Sequence, residues 1–127
     1  MSEEGRIAKA ITRLIQETQD GQLKWVASRP SRDVSEGRDI IVDSVYTTKK
    51  DKREIRLYPY RYRSFMEEDV WYWEDGVALE LADQDGISWW RFPNHLVIRD
   101  LLEAVQFKTV GVDQFIDKLL KEDDLPF

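Results

Sequence analysis

The spacing of apolar residues predicts a helix at the start of the chain. Over residues 3–20 the apolar positions recur at helical intervals, while charged side chains occupy most of the remaining positions. The apolar stripe consists of Ile7, Ile11, Leu14 and Ile15. Ser2 is a suitable N-cap and Gly21 a suitable C-terminal stop, so both ends of the predicted helix have a chemical explanation.

The middle of the chain has the pattern of an antiparallel meander. Short runs rich in β-branched and aromatic residues alternate there with residues that favour turns. The predicted strands are residues 40–48, 54–65, 70–73, 77–82 and 87–92, with turns at 49–53, 66–69 and 83–86. The turn at 83–86, Asp-Gln-Asp-Gly, is the clearest hairpin signal. A short apolar stretch at 23–27 and a loop-like segment at 28–37 precede the meander.

Two amphipathic helices are predicted after the sheet, one capped by Asn94 and one following Gly111. Their apolar positions are Val97, Leu101, Leu102 and Val105 in the first, and Val112, Phe115, Ile116, Leu119 and Leu120 in the second. We expect both helices to cover the apolar face of the sheet, a dimer interface being the alternative for their stripe. Residues 122–127 are predicted to form a frayed tail.

Strands followed by helices indicate an α+β fold. We predict a four- to five-stranded antiparallel meander with an N-terminal helix and two C-terminal helices, the helices lying mainly on one face of the sheet. At 127 residues the chain is long enough for one domain with its own hydrophobic core, and we assign residues 1–127 to a single domain.

Composition narrows the class of protein. The chain has no cysteine, which excludes disulfides, thiolate zinc sites and thiol nucleophiles. Its apolar runs are far shorter than the roughly 20 residues that cross a bilayer, so no membrane partner is expected. Residues 1–6 are acidic where a secretory signal would be basic, and we therefore expect a cytoplasmic protein.

The charge distribution separates one basic segment from an acidic remainder. The net charge is -6, yet residues 49–63 carry seven basic and two acidic side chains. Residues 64–127 carry five basic and fifteen acidic side chains. Because affinity for nucleic acid depends on neutralising phosphates, this balance disfavours a general DNA binder but leaves a local basic site open.

The basic segment contains the most distinctive motif, a run of alternating tyrosines and arginines. Its members are Tyr58, Tyr60 and Tyr62 with Arg56, Arg61 and Arg63. If residues 66–69 form a four-residue loop, Phe65 faces Val70, Arg63 faces Tyr72 and Arg61 faces Glu74. Facing residues share one side of the sheet. Arg61, Arg63, Tyr72 and Glu74 therefore lie on one side, which we predict to point away from the core because the other side of the next strand is apolar.

The opposite side of the next strand is apolar and is assigned to the core. Its residues are Trp71, Trp73, Val77, Leu79 and Leu81. Pro59 lacks a ladder donor, and a bulge at Tyr58–Pro59 would turn Tyr60 and Tyr62 into this core while the arginines face outward. In the last hairpin, pairing of Ala82 with Ile87 puts Trp89 opposite Glu80 and Arg91 opposite Ala78, all outside. A slip of one residue would reverse these assignments.

The outward residues form an Arg/aromatic sheet face. Because Trp, Tyr and Arg are enriched at binding hot spots, we predict a non-enzymatic protein-interaction module, such as an accessory or regulatory subunit. The predicted binding residues are Arg56, Arg61, Arg63, Tyr72, Trp89 and Arg91. The simpler interpretation is a solvated face of Arg–Glu cross-strand pairs. A third is a face covered by the N-terminal helix or by a second subunit, so a homo-oligomer stays open.

A single-stranded nucleic-acid-binding protein is the alternative function. It would use Arg56, Arg61 and Arg63 for phosphates and the nearby aromatic rings for stacking on bases. Glu74 and Glu80 within the array count against it, as does the acidic C-terminal half of the chain.

The sequence offers no arrangement for catalysis. His95 is the only histidine, and its place beside the predicted cap Asn94 favours a structural hydrogen bond. Carboxylates such as Asp83 and Asp85 lie in predicted turns, where acidic residues are common. Since the sequence has no glycine-rich phosphate loop, nucleophile elbow or histidine pair, we predict no catalytic residue, no metal and no cofactor.

Overall fold

The described residues of the computed structural model, 2–30 and 39–123, form a sheet flanked in sequence by one helix before it and two after it. In chain order the elements are α1 (Glu3–Gln19), β1 (Val26–Ser28), β2 (Ile40–Ile41), β3 (Val45–Lys50), β4 (Arg53–Glu67), β5 (Val70–Ala82), β6 (Trp89–Arg91), α2 (Leu96–Val110) and α3 (Val112–Asp123). The strands pair antiparallel in the order β1-β3-β4-β5-β6, and β2 also pairs with β4. The predicted α+β class is confirmed.

The described part of the sheet has six strands rather than four or five. The extra strands are short. Residues 26–28, predicted only as an apolar stretch running into a loop, pair with β3 as β1. Residues 42–44 lie outside both strands and divide the predicted strand 40–48 into β2 and β3.

The hairpin between β3 and β4 has the tightest possible connection. Asp51 and Lys52 have φ values of 52° and 66°, the left-handed conformation that a two-residue type I′ turn requires. Both strands continue up to these two residues, with Lys50 opposite Arg53. Of the turn predicted over residues 49–53, only Asp51 and Lys52 lie outside the strands.

The long hairpin of β4 and β5 corrects the predicted register by one residue. The ladder is irregular at Met66, between Phe65 and Glu67, so that Phe65 lies opposite Trp71 rather than Val70. An extra residue in one strand shifts every pair beyond it by one position. The four-residue loop predicted for 66–69 was therefore wrong.

The bulge predicted at Pro59 was also wrong, because pairing between β4 and β5 runs without a shift from Ile55 to Phe65. Pro59 lies where β4 changes its other neighbour: β3 pairs as far as Leu57, and β2 pairs from Arg61. A residue without a backbone N–H is tolerated where a strand lacks a full ladder on one side.

The two sides of the sheet differ in what covers them. We call the side bearing Leu57 and Leu79 the helix face, because α1 and α2 pack there. The side bearing Arg56 and Glu80 is the outer face. Alternation along the strands assigns every other residue of the hairpin to one of these two faces.

The corrected register reverses the predicted positions of the tyrosine–arginine run beyond Pro59. Arg61 and Arg63 share the helix face with Trp73, which lies opposite Arg63. Tyr60 and Tyr62 lie on the outer face rather than in the main core. The physical reason is the two-residue period of a strand, which moves each side chain to the other face when the register slips by one.

The hairpin of β5 and β6 differs from its predicted register by two residues. Ala82 lies opposite Trp89 rather than Ile87, because the connection consists of residues 83–88 rather than 83–86. The Asp83 carboxylate accepts a 2.8 Å hydrogen bond from the Ile87 N–H, which lowers the pKa of Asp83. A shift of two preserves the face, so Trp89 and Arg91 lie on the outer face as predicted.

α1 and α2 pack against each other and enclose the main core on the helix face. Its buried side chains are Ile11, Leu14, Leu23, Trp25, Tyr46, Ile55, Leu57, Val77, Leu79, Ile98, Leu101, Leu102 and Val105. The predicted cap of α1 is confirmed, since Ser2 Oγ accepts a 3.1 Å hydrogen bond from the Gly5 N–H. α1 therefore matches its prediction at both its start and its apolar stripe.

α2 begins at a different cap from the one predicted. The N-cap is His95 rather than Asn94, and its Nδ1 accepts a 3.1 Å hydrogen bond from the Val97 N–H. The structural hydrogen bond expected for His95 is confirmed. α2 ends at Gly111, whose φ of 80° is the left-handed conformation that favours glycine after a helix.

α3 leaves its apolar stripe exposed, which corrects the expectation that both C-terminal helices cover the sheet. Phe115, Ile116, Leu119 and Leu120 are between 41% and 66% exposed. Only Gly111 separates α3 from α2. An antiparallel return of two packed helices takes about two to five connecting residues, so α3 cannot fold back along α2.

Two predictions fall partly outside the described residues. Residues 31–37 of the loop predicted for 28–37, and residues 124–127 of the predicted tail, lie outside the described residues. Residues 122 and 123, also assigned to the tail, are instead the last residues of α3.

Thr18 provides a test of the contact between α1 and the segment that follows it. The Trp25 indole N–H donates a 3.0 Å hydrogen bond to Thr18 Oγ1, which itself donates to the Leu14 carbonyl at 2.7 Å. Thr18→Val keeps the shape but leaves the buried indole N–H without its acceptor. We expect the free energy of unfolding to fall by about 1–3 kcal/mol, measured by urea denaturation.

Thr12→Val is the matched control, because the exposed Thr12 hydroxyl makes the same helical bond to the Ala8 carbonyl at 2.9 Å. The control should change stability by less than about 0.5 kcal/mol. Equal losses in the two variants would show that the indole bond has no special part in stability.

Candidate functional site

The structure separates the six residues predicted for binding into two groups. One group is Arg56, Trp89 and Arg91, and the other is Arg61, Arg63 and Tyr72. The first group lies on the outer face where β4, β5 and β6 run side by side. The second lies in residues 61–75, the end of the β4–β5 hairpin, which we call the tip. The sequence predicted that these six residues share one Arg/aromatic face. In the structure they lie in two separate parts of the sheet.

The first group forms a polar network around Glu80. Arg56 Nε donates to Glu80 Oε1 at 2.5 Å, and Arg91 Nε donates to Glu80 Oε2 at 3.2 Å. Arg91 also donates to the Tyr58 hydroxyl at 2.9 Å. The Arg56 guanidinium lies 3.8 Å from the centre of the Trp89 ring, which covers it from above the sheet. The network ties the three strands together through side chains.

The Arg56–Glu80 pair at the centre of the network is part of the interior. Burial disfavours the Glu80 carboxylate, but the hydrogen bonds and charges of Arg56 and Arg91 outweigh burial and lower the pKa of Glu80. Arg56 is only 5% exposed and Glu80 only 3%. Among the described residues every buried side-chain nitrogen and oxygen has a hydrogen-bond partner. Arg56 therefore offers a partner molecule almost no surface.

The helix face of the tip is an array of arginines and tryptophans. The Arg61 guanidinium lies 5.8 Å from the centre of the Trp73 ring, and that of Arg63 lies 5.7 Å from the Trp71 ring. The two indoles meet edge to face, 5.3 Å apart. Cation–π and edge-to-face contacts of this kind hold rings in place even at an exposed site.

The arginines of the tip have carboxylate partners. Arg61 lies 3.4 Å from Asp43, and Arg63 lies 3.4 Å from Asp39. All four side chains are substantially exposed, between 41% and 78%. Exposed ion pairs contribute about 0–1 kcal/mol, so these contacts are weak enough to be exchanged for contacts with another molecule.

The outer face of the tip carries tyrosines grouped around Glu74. The Tyr62 hydroxyl donates to one carboxylate oxygen at 2.5 Å and the Tyr72 hydroxyl to the other at 3.1 Å. The bond to Glu74 raises the pKa of Tyr62, since it stabilises the protonated phenol beside a negative charge. Tyr60 continues the row, 6.0 Å from Tyr62 between ring centres.

A cleft of about 330 Å³ lies at the base of the tip, where the hairpin meets α2. Its charged lining residues are Asp43, Arg61, Asp75 and Arg99, and the Arg99 guanidinium also donates to the Asp75 carbonyl at 3.1 Å. Two cations and two anions give this cleft no preference for a ligand of one sign.

Sequence reasoning missed the exposed tryptophans of the tip and assigned Trp71 and Trp73 to the core. The signal that would have found them is length. β4 has fifteen residues. At about 3.3 Å per residue such a strand spans roughly 50 Å, whereas two packed helices cover only about 20 Å of a sheet. Part of the hairpin must therefore extend beyond the helices that cover the sheet.

No protein-family model, curated protein or solved structure matches the chain. Within the described ranges, none of the helices is both long and apolar enough to cross a bilayer. Nor do three His, Cys, Asp or Glu side chains come together as a metal site in that part of the chain. A function must therefore be inferred from the geometry of the tip and its surroundings.

Glu80 provides a test of the buried network. Glu80→Gln removes the negative charge that Arg56 and Arg91 share, and removing one partner of a buried ion pair costs about 3 kcal/mol. Glu68→Gln, the same change in the exposed β4–β5 turn, should cost less than about 0.5 kcal/mol. Urea unfolding at pH 7 measures both changes.

The same pair of variants predicts a pH dependence. Because the pKa of Glu80 is lower in the folded protein than in the unfolded chain, its stabilising contribution is complete above the ordinary pKa of about 4.3. The contribution is lost as the pH falls towards the lowered value. Between pH 7 and pH 3 the urea midpoint should therefore fall less in Glu80→Gln than in Glu68→Gln; equal falls would contradict the buried ion pair.

Gly76 provides a test of the tyrosine row. A Cβ at this position would lie 2.3 Å from the Tyr60 ring, which lies across the glycine backbone. Gly76→Ala must displace the ring, and we expect a loss of about 1–3 kcal/mol in the free energy of unfolding. With Tyr60→Ala already present, the same change should cost clearly less, because contacting residues are not additive. Full additivity in this double-mutant cycle would contradict the contact.

Proposed function

We propose that the protein is a non-enzymatic interaction module, of the kind used as an accessory or regulatory subunit, and that its hairpin tip docks a protein partner. One observation carries this proposal: on the helix face of the tip, Trp71 and Trp73 are 43% and 45% exposed, and Phe65, which lies opposite Trp71, is 57% exposed. Single exposed apolar side chains are ordinary. A contiguous aromatic patch on two adjacent strands is typical of an interaction surface.

The geometry of the tip favours tight contact with a protein. Trp, Tyr and Arg dominate the energetics of protein interfaces. Here Arg61 and Arg63 lie over the tryptophan rings, so the rings are already ordered before a partner arrives. Ordering side chains on binding costs about 0.5–1.5 kcal/mol each, and an ordered patch avoids part of that cost.

In this proposal the other predicted binding residues have a structural part. Arg56 and Arg91 hold Glu80, and Trp89 covers the ion pair. They support the hairpin from which the tip projects. Trp89 and Arg91 remain partly accessible and could contribute at the edge of a large interface.

Single-stranded nucleic acid is the alternative ligand. The helix face of the tip does combine cations with aromatic rings, as stacking platforms do. However, residues 61–75 contain two arginines against five carboxylates, and both arginines already have a carboxylate partner. A chain of phosphates would meet repulsion along the turn and the outer face, so we favour a protein partner.

The proposal predicts that the double variant Trp71→Ala/Trp73→Ala keeps its fold and loses its partner. Both rings are more than two-fifths exposed, so the thermal midpoint should change little. Loss of a single hot spot of about 2 kcal/mol weakens binding about thirtyfold, so loss of both rings should weaken it by at least that factor. Quantitative affinity capture with the intact chain, followed by titration of the captured protein, measures this.

Ile87→Ala is the matched control, because Ile87 is 78% exposed in a different turn. Partners that the wild-type chain and both variants retain equally would overturn the tip as a docking site. A fluorescent single-stranded oligonucleotide should not bind even at low salt. Binding that weakens steeply with salt and disappears in Arg61→Ala/Arg63→Ala would establish the nucleic-acid alternative instead.

A further inference from the structure

We infer that a second copy of this chain docks on the tip, with α3 of one copy lying on the helix face of the tip of the other. The inference rests on the proposed role of the tip as a docking surface and names one occupant for it. Two apolar surfaces of the same chain carry it, the stripe of α3 and the Trp71–Trp73 face. The proposed assembly is a closed dimer.

The stripe of α3 cannot be buried within its own chain on the tip. α3 starts at the C-terminal end of α2, whereas Arg99 and Leu102, in the N-terminal half of α2, line the cleft at the base of the tip. To reach its own tip, α3 would have to run back along α2. The single connecting residue, Gly111, does not permit that return.

In the part of the chain that the structure describes, no helix covers the helix face of the tip. α1 and α2 cover the side chains near Leu57 and Leu79. Further along the same face, Trp71 and Trp73 remain exposed, and Ile41 of β2, opposite Arg61, is 39% exposed beside them. A helix placed there would continue the existing helical layer.

The two surfaces match in length. α3 has twelve residues. Its length is about 18 Å at 1.5 Å per residue, and the five strand positions from 61 to 65 span about 16 Å. The apolar residues of α3, from Val112 to Leu120, take up about 14 Å of that length, so they can lie along most of the stretch that bears Phe65, Trp71 and Trp73.

The charges beside the stripe complement the arginines of the tip. By helical spacing, Asp113 and Asp117 flank the stripe on the side of Leu120, and Glu122 and Lys118 flank it on the other side. Three carboxylates against one ammonium make the flanks acidic. On the tip, the ion pairs of Arg61 and Arg63 are exposed and 3.4 Å long, so their carboxylates can be exchanged for carboxylates of the helix.

Symmetry makes the contact reciprocal. A helix of one copy on the tip of another is a contact between two different surfaces, which either closes into a ring or continues as a filament. In a twofold dimer each copy supplies one helix and one tip, so the contact is made twice. A standard interface buries roughly 800 Å² per partner, and making the contact twice doubles the area that one helix on one tip would bury.

Sedimentation equilibrium of the intact chain between 1 and about 200 μM tests the inference. We expect a monomer–dimer equilibrium. The tip variant Trp71→Ala/Trp73→Ala and the helix variant Phe115→Ser/Leu119→Ser should each weaken dimerisation at least about tenfold. Circular dichroism melting checks that both variants remain folded, as the exposure of all four side chains leads us to expect.

Mixing the two variants identifies the contact. In the mixed pair, the intact helix of the tip variant meets the intact tip of the helix variant, so one of the two contacts is restored. We expect the mixture to dimerise more strongly than either variant alone. A helix variant or a tip variant that dimerises like the wild type would overturn the inference, as would a monomeric wild type or growth of mass beyond two copies.

Charge reversal provides an independent variant pair. Arg61→Glu/Arg63→Glu should prevent dimerisation, and Asp113→Lys/Asp117→Lys in the other copy should restore it. The helix variant also separates this inference from the proposed function. If the helix variant dimerises normally while the tip variant still loses a captured partner, the dimer is wrong and the proposed function stands. If the tip variant loses neither dimerisation nor any partner, both are wrong.

Discussion

The structure depends on one constraint, the uninterrupted pairing of β4 with β5. From Ile55 to Phe65 every residue of β4 has a partner on β5 in constant register. Alternation of side chains then fixes the face of each residue in both strands. β3 and β6 pair with the two sides of this hairpin and take their faces from it, so the helix face and the outer face are decided here for most of the sheet.

The ion pair of Arg56 and Glu80 makes this register specific. The two residues lie opposite each other on the outer face, where no described helix covers the strands. A slip of one residue would move one charge to the helix face and bury each charge away from its partner, at a cost of several kcal/mol. Apolar pairs such as Leu57 with Leu79 tolerate a wrong partner more easily. The buried charges thus exclude alternatives that hydrophobic burial alone would allow.

The long elements could be predicted from local pattern, whereas the short strands β1 and β2 and the registers of the hairpins could not. α1 and its cap follow from residues close in sequence, and the class of the fold follows from the order of the elements. The register of the long hairpin depends on whether Met66 belongs to the ladder or to the turn, a difference of one residue that no periodicity reveals. For β6 the predicted register was wrong by two residues, but the predicted face of Trp89 was right, because a shift of two residues leaves each side chain on the same face.

The sequence also did not reveal which part of the sheet the helices cover. Trp73 and Leu79 share one apolar parity along β5, and periodicity assigns both to the helix face, correctly. Leu79 is fully buried there and Trp73 is 45% exposed, because the helices extend over one and not over the other. The same reasoning explains the failure for α3: a strong apolar stripe predicts burial but does not identify the surface that buries it.

The edges of the tip restrict how another molecule can approach it. β6 pairs with β5 only at Glu80–Ala82, so in the described part of the sheet residues 70–78 of β5 form an edge. Such an edge could add a strand from any extended chain, but Glu74 and Asp75 lie along it and Gly76 is covered by the Tyr60 ring. Charges and a bulky ring oppose strand addition there. The docking that we propose would therefore use the side chains of the helix face, and a helix is the partner that fits this mode best.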